Sequence, residues 1–198
     1  MGDNSSGTDR LDHRLAGHTR PRNYSLHLSV DPDAEGFTGS VTITVELAQA
    51  TDMIVLHALD LELHTALIRQ AGSEHATSVT IDLERQWFTL RTDQELEPGT
   101  AELYFEYAGN YCKNLVGLYT SEFDLDGTTR RLAVSQCEST HARRILPCFD
   151  EPAFKATFEV TLEVPVELTA ISNGAEIERT VHHRTGSSGH DGEDTRDD

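Results

Sequence analysis

The chain has 198 residues, enough for one well-packed domain with a real core. Its 34 acidic against 16 basic residues give a formal charge of −18 at pH 7, which argues against a nucleic-acid partner, because that affinity rests on Lys and Arg neutralising phosphates. A cationic or neutral partner fits better, and a solvated surface that keeps the protein soluble accounts for the acidity without any partner.

Residues 1–20 mix Gly, Ser, Asp, Arg and His without periodicity and read as a flexible leader, with no apolar core of a signal peptide. A β-domain is expected over residues 21–177. "NYSLHLSVD" sets Tyr24, Leu26, Leu28 and Val30 on one face, the two-residue period of a half-buried strand. After the turn-prone "DPDAEG", "FTGSVTITVEL" repeats the pattern with Val41, Ile43, Val45 and Leu47. "DMIVLHAL", "LHTALIRQ", "TSVTIDL", "WFTLRT" and "TAELYFEYAG" continue it, and "GLYTSEFDLDGTTRRLAVSQCE" reads as a hairpin reversing at Asp126-Gly127. "STHARRIL" is the one short helix or turn, with Ser139 or Thr140 as its cap. "ATFEVTLEVP" and "ELTAISNG" supply two last strands. Residues 178–198 lose hydrophobic patterning and have the composition of a disordered, acidic, His-rich tail. The pattern predicts an all-β fold, an antiparallel sandwich or saddle-shaped assembly of sheets.

Nothing is long and apolar enough to span a bilayer. Cys112, Cys137 and Cys148 lack the close pairing of a zinc ribbon or redox dithiol, so reduced thiols in a cytoplasmic protein are expected. No His is followed by Glu, which removes the H-E-x-x-H zinc pair. His182 and His183 lie in the tail, and His57 and His64 read as packed or edge histidines rather than ligands. Gly-x-Ser-x-Gly and a phosphate-binding glycine loop are both absent.

One stretch carries more. Along "LAVSQCE", Leu132, Val134, Gln136 and Glu138 share a face, so the strand leaves the core and delivers an amide and a carboxylate at its end. A buried carboxylate is expensive unless something cationic answers it. Glu138 either caps or pairs locally, with Arg143 or Arg144, or waits for a cation from outside.

The segment "SQCESTHARRILPCFDEPAFKATFEVTLEVP" resembles the N-terminal domain of the zinc aminopeptidases related to aminopeptidase N, puromycin-sensitive aminopeptidase and leukotriene hydrolase. Gln136, Cys137, Glu138, Ala142, Arg143, Pro147, Cys148, Asp150, Pro152 and Phe154-Lys155-Ala156 follow in order without a gap. "PRNYSLHLSVD", "FTGSVTI", "VLHALDL" and "GLYTS" extend the likeness upstream, from about Pro21 to Gly174. The resemblance implies a saddle of sheets laid against a thermolysin-like catalytic domain, with Glu138 receiving the free α-amine of a peptide and Gln136 lining the same subsite. It also implies zinc in the full-length family, on a downstream domain. This chain holds neither H-E-x-x-H nor Gly-x-Met-Glu-Asn, and its methionines are Met1 and Met53. The expected cofactor content of the chain itself is therefore none. The expectation is a substrate-anchoring domain with a missing or separate catalytic domain, truncated or free-standing. The rival is a stand-alone sandwich that binds another protein. A weak third reading is a hydrolase using Glu138 and Asp150 as a carboxylate pair.

Overall fold

The computed structural model describes residues 14–181. The rest of the expected leader, and residues 182–198 of the expected tail with His182 and His183, lie outside the described residues. The described residues form eleven strands and one 3-10 turn: β1 Thr19–Val30, β2 Gly36–Leu47, β3 Thr51–His57, β4 Leu61–Gln70, β5 Ser73–His75, β6 Thr77–Asp82, β7 Trp87–Leu96, β8 Gly99–Asn110, β9 Gly117–Leu125, β10 Thr128–Gln136, the turn Ala142–Arg144, and β11 Thr157–Glu163. The fold is all-β. No helix among the described residues is long and apolar enough to cross a membrane.

Alternation decides which face is buried. On β2, Val41, Ile43, Val45 and Leu47 are at most 1% exposed, and on β8 Ala101, Leu103, Phe105 and Tyr107 stand opposite the same side. A six-stranded sheet in the order β11-β1-β2-β8-β4-β5 turns this face to a three-stranded sheet, β3-β7-β6. Ile54, Leu56, Phe88 and Leu90 of the smaller sheet join the same cluster, which makes a sandwich. Each fully buried aliphatic or aromatic side chain here contributes roughly 1.5–3 kcal/mol.

Turns follow their residues. Asp31 accepts from the Asp33 amide at 2.9 Å and Ala34 N–H donates to the Asp31 carbonyl at 3.0 Å, closing the β1–β2 connection. Asp126 and Gly127 both take positive φ, 53° and 75°, the requirement of a two-residue hairpin loop. The hairpin β9–β10 pairs only with itself.

Several expectations change. Order reaches back before Pro21, because Leu15 is buried, its amide donates to Glu151 Oε1 at 2.6 Å, and β1 starts at Thr19. β11 runs parallel to β1, so the assembly is not wholly antiparallel. "ELTAISNG" forms no strand: no neighbour pairs with it among the described residues, and Ile171 stays 87% exposed. The turn after β10 begins at His141 with no side-chain cap, so neither Ser139 nor Thr140 fills that role. Pro147 stops it within one turn, since the residue before a proline is pushed out of helical geometry. The face shared by Leu132 and Val134 is also less buried than its pattern suggests. Leu132 is 38% exposed because the hairpin stands off the sandwich.

Candidate functional site

β10 ends at Gln136, opposite Gly117 at the base of the hairpin. Gln136 and Glu138 are both exposed, and Gln136 Oε1 accepts the Glu138 amide at 3.1 Å. The amide side chain thus braces the backbone that carries the carboxylate. Glu138 makes no ion pair among the described residues, and as an exposed group its charge is held by water.

Its two local rivals are taken. Arg143 is 7% exposed; its Nε donates to Asp150 Oδ2 at 2.8 Å, its Nη1 to Gln86 Oε1 at 2.9 Å, and its Nη2 to the Asp150 carbonyl at 3.2 Å. Arg144 Nη1 pairs with Asp60 Oδ2. Neither guanidinium answers Glu138. The corner is pinned further by backbone bonds between His57 and Cys148, 2.8 and 2.9 Å, and by the Asp150 amide donating to His57 Nδ1 at 3.2 Å. His57 is 2% exposed, a packed histidine as its strand sequence suggested, while His64 is exposed.

The remaining chemistry narrows. Asp150 is engaged by Arg143, which leaves no carboxylate pair with Glu138. Burial, with the Asp150 carboxylate adding to it, pushes the Cys148 thiol up and holds it in the core as a thiol, while Cys137 is exposed at its surface and has its thiol pushed up by partial desolvation and by Asp150. No group of three His, Cys, Asp or Glu stands close enough to hold a metal ion among the described residues. A cavity of about 590 Å³ opens beside the corner, lined by His57, Gln86, Thr140, Arg143, Asp150 and Glu151 among others. Gln136 and Glu138 do not line it.

Gly117 is needed where it stands. Its φ is 65°, and a Cβ there would meet Arg144 Cβ at 3.0 Å and Cys112 Sγ at 3.1 Å. Gly117→Ala should therefore cost about 1–2 kcal/mol through left-handed strain and crowding, read as a lower urea midpoint. An unchanged midpoint would mean that the hairpin base yields freely.

Gln86, His57 and Asp60 were not singled out from the sequence as supports of this corner. Gln86 and Asp60 both stand at positive φ, 60° and 58°, a conformation that aspartate tolerates and glutamine does not announce.

The Peptidase M1 N-terminal domain family matches residues 20–190. Aminopeptidase M1-C of Oryza sativa subsp. japonica is 41% identical over 160 residues, 81% of this chain and 18% of the relative. Puromycin-sensitive aminopeptidase of Caenorhabditis elegans is 37% identical over 170 residues, 84% of this chain and 18% of the relative. Aminopeptidase N of Bos taurus is 35% identical over 169 residues, 80% of this chain and 17% of the relative. The chain thus spans about a fifth of the length of the curated relatives it matches, 17–20% in these and in Aminopeptidase M1-A of rice.

Proposed function

The chain belongs to the peptidase M1 family, as its N-terminal domain, and from that premise we propose that it anchors the free α-amine of a peptide through Glu138, with Gln136 beside it. Hydrolysis, on this reading, depends on a catalytic domain outside the chain. The observation that carries it is the pairing pattern of the corner: Arg143 and Arg144 are bound to Asp150 and Asp60, and Glu138 is exposed with no ion pair among the described residues. An α-ammonium offers three donors and a full charge, which a carboxylate matches better than any neutral acceptor. Zinc, implied by the family, finds no fitting ligand set among the described residues. The free thiols of Cys112, Cys137 and Cys148 suit a reducing, cytoplasmic setting. The test is capture of free-amine against N-acetylated ligands by wild type and Glu138→Ala.

The apolar surface around β11 supports a missing partner rather than a free-standing module. Phe158 is 56% exposed, Val166 77%, Ile171 87% and Ile177 97%, and β11 is an edge strand with one neighbour. Exposed apolar edges of this kind associate. Light scattering should show apparent mass rising with protein concentration. A monomer that persists to high concentration would favour the rival reading, a self-sufficient binding module.

A further inference from the structure

Residues 137–141 carry the proposed anchor yet have little of their own to hold them. Within the segment, His141 N–H donates to the Cys137 carbonyl at 2.8 Å, and the Glu138 amide donates to the Gln136 side chain. What fixes the segment lies just beyond it. Arg143 is the most buried cation among the described residues, and its planar guanidinium is held at three points. Asp150 supplies a carboxylate oxygen and a carbonyl, and Gln86 supplies its amide oxygen from the turn between β6 and β7. The Arg143 carbonyl also accepts from the Leu59 amide at 2.9 Å, and the Phe149 amide donates to Tyr24 Oη at 3.0 Å. The corner is thereby tied to the end of β3, to the turn before β7 and to β1.

A buried ion pair is a poor source of net stability, because removing two charges from water offsets their attraction; apolar residues of similar volume often serve as well. What they cannot supply is direction. A guanidinium held at fixed angles sets the orientation of the chain that leaves it. We infer that the Arg143–Asp150 pair, with Gln86, is a positioning element for Gln136 and Glu138, an inference that rests on the amine-anchoring reading above. Neither residue touches the ligand; the pair fixes the course of residues 137–141, and so where the anchoring carboxylate points.

The experiment compares the wild-type chain with the double variant Arg143→Met/Asp150→Leu, which removes both charges and leaves neither unpaired. Two readouts are taken at equal folded fraction: amide hydrogen exchange at Glu138 and His141, whose amides are hydrogen-bonded, and NMR titration with leucinamide against N-acetyl-leucinamide. The double variant should melt at or above the wild-type temperature, exchange those amides about tenfold faster, and lose most of its preference for the free amine. A double variant that keeps both the exchange rates and the preference overturns the inference and leaves the pair purely structural. If the wild type itself shows no preference, the amine reading fails separately; the exchange rates then decide the positioning role, and unchanged rates overturn it. Should the double variant not fold, Gln86→Ala removes one of the three fixed points and keeps the ion pair. A rise of about threefold in the same exchange rates is expected there, and no rise overturns the inference.

Discussion

Asp150→Ala should cost the domain about 3–5 kcal/mol, because it leaves the Arg143 guanidinium buried without its counter-charge. The side chains of Arg143 and Asp150 are only 9% and 11% exposed, so water reaching them from the adjoining cavity replaces little of the lost counter-charge. Against a total stability on the order of 5–15 kcal/mol, that is roughly a fifth or more. The chain has one tryptophan, Trp87 at the start of β7, adjacent to Gln86, and its fluorescence during urea unfolding reports the loss as a lower midpoint. Asp60→Ala is the control. Asp60 pairs with Arg144 from a side chain 66% exposed, where an ion pair is worth about 0–1 kcal/mol. If the two substitutions cost the same, Asp150 does not hold the corner, and the positioning role argued for it falls with that result.

This contrast between two neighbouring arginines is something the sequence does not display. "HARR" offers two identical cations side by side, and local reasoning pairs either with Glu138, five or six residues away. Arg143 takes Asp150, seven residues on, and adds Gln86 from 57 residues away, while Arg144 takes Asp60, 84 residues away. Only the packing of β3 and the turn before β7 against the corner brings the two remote partners there. Alternation, by contrast, is a local property, and it located nearly every strand from β1 to β11. The Asp126-Gly127 reversal was equally legible, because both residues tolerate the positive φ they adopt. The β4–β5 hairpin was not. It turns at Ala71-Gly72 with Ala71 at φ 51°, a conformation alanine rarely marks. Alternation is also silent on direction, which is why the parallel pairing of β11 with β1 was unforeseen: Tyr24 opposite Phe158 and Leu26 opposite Val160 would alternate equally well either way. Nor can it say whether a strand finds a neighbour. "ELTAISNG" has the residues of a strand and no partner strand among the described residues; its Leu168 amide turns back to the Pro165 carbonyl at 2.9 Å instead.

Gln136 and Glu138 were legible as candidates for a different reason. Polar residues continuing the face of an apolar strand mean either that the strand has left the core or that a ligand is expected, and here the first is seen. The exposed carboxylate does not carry the desolvation cost that made it conspicuous. What the exposed carboxylate offers a ligand is availability.

Glu138→Ala should separate two classes of ligand. In a full-length relative whose N-terminal domain is exchanged for this one, a free-amine peptide inhibitor loses a charge-assisted partner worth about 1.5–3 kcal/mol, which is about 10- to 150-fold in affinity. Gln136→Ala should do less, because its amide oxygen is spent on the Glu138 backbone at 3.1 Å and its loss disturbs the anchor only indirectly. Glu138→Gln gives a further distinction: it keeps one acceptor and the shape but removes the charge, so it should fall between wild type and alanine. N-acetylated versions of the same inhibitors carry no ammonium, and their inhibition constants should hardly move in any of the variants. Equal weakening of both classes would mean that the substitutions disturb the fold of the corner rather than an amine contact. No weakening of either would show that Glu138, though exposed and unpaired, is surface charge like the many other carboxylates of this acidic chain. A loss of stability cannot produce that difference between ligand classes, and losing one charge from a surface already at −18 gives only a small, salt-screened fraction of it.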